Sequence, residues 1–152
     1  MIIKGILDED YINYRLPSMY IAFPHCDFKC GEGLCQNKHL IKQKNIEVND
    51  HTLISRYIAN PLTKAIVCAG MEPFVTFDML YKFLQNFRQR SKDDIVIYTG
   101  YTEEEIKDKV ELLKPLSNII IKYGRYIPNS SAREDEILGI KLASDNQYAV
   151  RY

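Results

Sequence analysis

Three of the four cysteines, Cys26, Cys30 and Cys35, sit in the segment PHCDFKCGEGLCQN at the spacing C-x3-C-x4-C. Thiolates are the ligands that iron-sulfur clusters require, and Gly31 and Gly33 let the backbone wrap closely around an inorganic core. Three thiolates on four irons leave one iron without a protein ligand. An open position of that kind is what a metal centre needs for chemistry, beyond simple electron storage. The same loop also admits a structural zinc reading, because His39 follows Cys35 by four residues and completes a Cys3His set, while His25 directly precedes Cys26. The fourth cysteine, Cys68, lies inside an apolar run, where a free thiol behaves as a small hydrophobe.

Composition narrows the setting of this chemistry. The chain has 152 residues, 46% of them hydrophobic, which predicts one compact domain over residues 1–152 with a sizeable core. Twenty basic residues balance twenty acidic ones, so no global field draws the chain to nucleic acid or to an anionic membrane surface. No run of apolar residues is long enough to span a bilayer, and MIIKGILDEDYINYR turns acidic and aromatic too early for a secretory signal. A cytoplasmic protein is expected. In a reducing compartment, clustered cysteines point to metal or redox use in preference to disulfides.

The elements that must position the cysteines follow from hydrophobic periodicity. Residues Met19 to Phe23 (MYIAF) form a short apolar run ended by Pro24, as expected of a buried strand that delivers the cysteine loop. Asp50 to Ala59 reads as a helix with Asp50 as its N-cap candidate. Ala65 to Ala69 (AIVCA) is a second strand, followed by a turn at Gly70 and a helix from a Thr76 cap to about Arg90. Asp94 to Tyr98 is a third strand. After the Thr99-Gly100 turn, Thr102 and Glu105 have the capping-box spacing for another helix. Asn118 to Ile121 is a fourth strand. Strands alternating with helices predict a parallel sheet, whose ligands gather at the strand C-terminal ends. The cysteine loop, Gly70 to Pro73, Thr99-Gly100 and the residues after Ile121 are therefore expected to converge. Lys122, at the end of the fourth strand, is expected to face water, and residues 124–152 to form a surface loop that returns toward the sheet edge.

At the cysteine loop the sequence resembles the radical S-adenosylmethionine superfamily, whose usual signature is C-x3-C-x2-C with an apolar or aromatic residue before the last cysteine. Leu34 fills that apolar position, and two extra residues separate Cys30 from Cys35. Ala69-Gly70-Met71-Glu72-Pro73 is similar to the superfamily's Gly-Gly-Glu-Pro segment, with Met71 at the second glycine. Within the superfamily the chain is most similar to the activating proteins of anaerobic ribonucleotide reductases. Cys35-Gln36-Asn37, Tyr98-Thr99-Gly100-Tyr101 and Ser144-Asp145-Asn146-Gln147 carry that similarity. Where those proteins usually have Asp before the glycine after the fourth strand, and Gly before the serine of the last motif, this chain has Tyr123 and Ala143.

The resemblance implies an α/β fold, a compact partial (β/α) barrel with a mostly parallel sheet and helices outside. It implies a 4Fe-4S cluster on Cys26, Cys30 and Cys35, and S-adenosyl-L-methionine held by Leu34, Gly70, Met71, Glu72, Thr99 and Asn146, with no further side chain acting catalytically. The activity implied is reductive cleavage of S-adenosylmethionine and formation of a glycyl radical on an anaerobic ribonucleotide reductase. A flavodoxin or ferredoxin would donate the electron. A different glycyl-radical enzyme, a peptide or a small metabolite is the alternative substrate, and a zinc-binding module the alternative without enzyme activity.

Overall fold

The computed structural model describes residues 1–152. In chain order it contains β1 (Ile2–Ile3), β2 (Gly5–Asp10), β3 (Ser18–Phe23), α1 (Lys38–Ile41), β4 (Ile46–Glu47), α2 (Asp50–Ala59) and β5 (Ala65–Gly70). There follow α3 (Phe77–Arg88), β6 (Asp94–Tyr98), α4 (Lys107–Leu113), β7 (Ile119–Tyr123), β8 (Arg133–Asp135), β9 (Ile140–Leu142) and β10 (Tyr148–Arg151). Six strands form the central sheet in the order β10-β7-β6-β5-β3-β2. The inner four, β3, β5, β6 and β7, are parallel, and β2 and β10 flank them in antiparallel pairing. The sheet is mixed α/β and mostly parallel. It stays open: β2 and β10 are its two edges, and no closed barrel forms.

The two faces of the sheet are covered differently. Ile21, Phe23, Ile66, Cys68, Ile95, Ile97, Ile119 and Ile121 meet Leu53, Ile54 and Tyr57 of α2, Leu80, Phe83, Leu84 and Phe87 of α3, and Val110 and Leu113 of α4 in one core. Strand alternation sends Ala65, Val67, Ala69, Val96 and Ile120 to the other face, where Tyr14 and the β8–β9 hairpin residues Leu138 and Leu142 cover them. Only short side chains line the middle strand on that side, which leaves room above the sheet.

Among the four helices only α2 starts at a side-chain cap, and two expected caps are displaced. α2 is capped by Asn49, whose side chain accepts from the His51 N–H at 2.8 Å; Asp50, the expected cap, pairs instead with the N-terminal ammonium at 3.1 Å. Thr76 makes no capping bond to α3, and its buried hydroxyl has no partner. Glu72 takes over the capping role one turn earlier, accepting from the Phe74 N–H at 3.2 Å at the start of a 3-10 turn over Pro73–Thr76. The Thr102/Glu105 capping box forms reciprocally, with Thr102 N–H donating to Glu105 at 2.9 Å and Glu105 N–H to the Thr102 hydroxyl at 3.3 Å. No helix is long and apolar enough to cross a membrane.

Candidate iron-sulfur site

The cysteine loop leaves the C-terminal end of β3, and the loops after β5, β6 and β7 leave the same end of the sheet. Between them lies a cavity of about 250 Å³ lined by Cys26, Cys30, Leu34, Cys35, Gly70, Met71, Glu72, Thr99 and Lys122, among others. Every predicted site residue except Asn146 reaches this cavity. Asn146 lies beside it. Its side chain donates to the Arg125 carbonyl at 2.9 Å and lines a neighbouring groove with Cys30 and Leu34. Its neighbour Gln147 is buried and faces the cavity, donating to the Gly124 carbonyl at 3.2 Å while accepting from the Ser144 N–H.

All three loop cysteines are free thiols and partly buried, whereas Cys68 is fully buried among the helices' core partners. The loop wraps through two left-handed residues, Phe28 (φ 54°) and Gly31 (φ 87°). The Phe28 N–H donates to the Cys26 sulfur at 3.3 Å. Burial pushes the Cys26 thiol up to about 11, and it also raises Cys30, with Cys35 adding to the effect. Binding a cluster must therefore release protons, because the iron ligand is the thiolate. A single zinc ion requires its ligands to close on one point, at about 2.3 Å for sulfur. No three His, Cys, Asp or Glu side chains converge in that way, and His39 stands exposed on α1. Three cysteine thiols on one loop, all lining the same cavity, are the donor set that a four-iron cluster takes.

Gly70 closes the site from the second strand. Its φ is 87°, and a Cβ there would lie 2.8 Å from Ala22 Cα and 3.0 Å from Phe23 N, so only glycine fits against β3. The Gly70 carbonyl accepts from the Asn37 side chain at 2.5 Å, which anchors the far end of the cysteine loop. Met71 N–H donates to the Phe23 carbonyl at 3.2 Å and Glu72 N–H to the His25 carbonyl at 2.8 Å, anchoring its near end. The Glu72 carboxylate joins β5 to β6: Oε1 accepts from the Thr99 hydroxyl at 2.8 Å and Oε2 from the Gly100 N–H at 2.8 Å. Burial raises the Glu72 carboxyl above the usual range, and those hydrogen bonds oppose the rise.

Lys122 overturns the expectation that it faces water. It is 7% exposed, lines the cavity, donates to the Gly124 carbonyl at 3.0 Å and stands over the Tyr98 ring at 5.7 Å. Burial lowers its ammonium to about 8, and the nearby Glu72 charge acts in the opposite sense. The signal for this was in the sequence: with a period of two, Lys122 shares the face of Ile120, which is not the helix-covered one. Asn37 and Tyr101, which belong to the motifs that carry the resemblance, and Arg125, which no motif signals, act as positioning groups across long sequence separations.

A family model described as a 4Fe-4S single cluster domain matches residues 17–148, from the residue before β3 to the first residue of β10. Searches of curated proteins and of solved structures returned no match. With the free cysteine trio at the end of β3 and a match over most of the chain, this protein belongs to the 4Fe-4S single cluster domain family.

Proposed function

We propose that this iron-sulfur protein is a radical enzyme that reductively cleaves S-adenosylmethionine and generates a glycyl radical on an anaerobic ribonucleotide reductase. The observation that carries the reading is the single cavity shared by the three cysteines, the Gly70–Glu72 turn, Thr99 and Lys122. Cys26, Cys30 and Cys35 would hold the cluster. Bound there, the cluster would supply an electron and S-adenosylmethionine the 5'-deoxyadenosyl group for hydrogen abstraction. The protein's part is binding, orientation and exclusion of side reactions.

The residues around the cavity suit a zwitterionic amino-acid group. Glu72 already accepts three hydrogen bonds; a carboxylate has about four acceptor sites, which leaves one for an ammonium. Lys122 spends one of its three donors on the Gly124 carbonyl and has two left for a carboxylate. Gly70 and Met71 present backbone at the rim, and Leu34, 48% exposed, offers an apolar contact beside the last cysteine. Asn146 would act from the adjoining groove. The electron would come from a flavodoxin or ferredoxin.

The alternative substrate, another glycyl-radical enzyme, a peptide or a small metabolite, draws on the Tyr123 and Ala143 departures. Tyr123 belongs to the helix-side core, its hydroxyl 2.9 Å from that of Tyr152, so this replacement changes packing behind the sheet and leaves the cavity wall unaltered. The test is anaerobic reconstitution followed by iron, labile sulfide and zinc analysis, then an assay for 5'-deoxyadenosine with a strong reductant. Cluster assembly and cleavage are expected for the parent and for Cys68→Ala, and neither for Cys30→Ser. One zinc without sulfide, or a loaded protein that releases no 5'-deoxyadenosine, sinks the reading.

A further inference from the structure

The cysteine loop is tied to the rest of the molecule very unevenly. At its two ends the anchors are the Glu72-to-His25 backbone bond and the Asn37-to-Gly70 bond. Between them the loop bonds mainly to itself, through Gly31 N–H to Phe28, Leu34 N–H to Gly31 and Cys35 N–H to Glu32. One hydrogen bond alone leaves residues 26–36 for another part of the fold: the Tyr101 hydroxyl donates to Asp27 Oδ2 at 2.5 Å. The Tyr101 ring also lies within cation–π reach of Lys29 Nζ, 4.7 Å from its centroid, and of Arg125 Cζ, at 5.7 Å. Glu105 holds both cations, Arg125 at 2.7 Å and Lys29 at 4.0 Å. Tyr101 is itself well fixed. Its N–H donates to the Thr99 hydroxyl at 3.0 Å, and its carbonyl accepts from the Gly124 N–H at 3.1 Å.

We propose that Tyr101 is the positioning residue of the cysteine loop, a clasp through Asp27, Lys29 and Arg125 that presets the three thiols for a cluster with no fourth protein thiolate. The proposal rests on the reading of Cys26, Cys30 and Cys35 as cluster ligands. A loop held only at its ends would have to be ordered by the cluster itself, and that ordering entropy would weaken retention. Tyr101 supplies the order beforehand, from a turn already locked to β5 through Glu72 and to β7 through Gly124.

The test compares Tyr101→Phe, Tyr101→Ala, Asp27→Ala and the Tyr101→Phe/Asp27→Ala double variant with the parent. Tyr11→Phe is the control, since its hydroxyl donates to Glu9 on the far edge of the sheet. Two readouts are taken: amide hydrogen exchange over residues 26–36 in the metal-free protein, and the rate of iron loss from the reconstituted protein under a chelator. Tyr101→Phe removes a hydrogen bond to a charged group, so both rates should rise by roughly tenfold. Tyr101→Ala should exceed it by losing the ring contacts as well. Asp27→Ala should match Tyr101→Phe, and the double variant should be no worse than either. In Tyr101→Phe and Asp27→Ala the change should be confined to residues 26–36, with the urea midpoint of the whole chain unmoved; Tyr101→Ala also removes a ring packed against the core and should lower that midpoint. Parent-like exchange in Tyr101→Phe overturns the proposal, as does an exchange increase spread over the entire sheet. If the parent takes up no cluster, the ligand reading fails by itself, and exchange in the metal-free protein still decides the role of Tyr101.

Discussion

Lys122 is a largely buried cation, with one carbonyl as its hydrogen-bond partner and no carboxylate in contact. Burying an ammonium in this way works against folding, and its pKa of about 8 records that cost. The sign is fixed by linkage. The unfolded lysine titrates near 10.4, so between about 8 and 10 the unfolded chain binds more protons and stability rises with pH. Below about 8 the full penalty is present. Lys122→Met should therefore be neutral or stabilising by about 1–2 kcal/mol at pH 7 in urea unfolding. The Gly124 carbonyl keeps a partner in that variant, because the Gln147 amide still donates to it. The parent should gain on the variant as the pH is raised from 8 to 10, and parallel curves across that interval would contradict the burial argument. Under the proposed function, the cost is offset when the cavity binds a carboxylate.

At the scale of elements, the β8–β9 hairpin depends on one carboxylate. Asp135 Oδ1 accepts from the Ile137 and Leu138 N–H groups at 3.1 and 2.9 Å, and Oδ2 accepts from the Ala149 N–H of β10 at 2.9 Å. The turn is thus fixed locally and fastened to the edge strand. Leu138 and Leu142 are then pressed onto the open face of the sheet beside Tyr14, which roofs the sheet beyond the cavity. Asp135→Ala leaves three buried or half-buried donors without their acceptor, and about 3 kcal/mol of stability should be lost in chemical denaturation. Asp135→Asn retains one acceptor oxygen and should recover part of it. Equal stability of the alanine variant and the parent would show that the hairpin is held by its apolar contacts alone.

For the molecule as a whole, the consequential feature is that the sheet stays open. Four parallel strands aim their loops at one cavity, while the antiparallel edges β2 and β10 end the sheet on either side and nothing wraps around to enclose the site. A chain of 152 residues spends its helices on one face and a short hairpin on the other. On the proposed reading, the reductase substrate would cover this open site. Under the proposed function, the anaerobically isolated protein should co-purify with the reductase. Activated complex exposed to oxygen should show the reductase cut at its C-terminal glycine, mapped by mass spectrometry. Failure to find both, in protein that still releases 5'-deoxyadenosine, would move the substrate to the alternative class.

The sequence by itself determined the β/α alternation, the strand before the cysteine loop and the cysteine trio, because short continuous apolar runs, capping residues and thiol spacing are local signals. It also determined that Gly70 and Glu72 follow the second strand, where a ligand loop belongs. Only the tertiary structure decided the rest. The strand Gly5–Asp10 joins the sheet as an edge by pairing with Ile21 and its neighbours, although its acidic pattern (GILDED) resembles a surface loop. Asp135 lies in a polar stretch that reads as exposed, and is buried because three backbone donors from two elements converge on it. The face of Lys122 follows from alternation along β7, but its contact with Tyr98, like the contacts of Tyr101, comes from other strands and loops. Local propensity fixes what each segment is, whereas the register and the packing between distant segments fix which side chains meet, and that information appears only when the sheet is assembled.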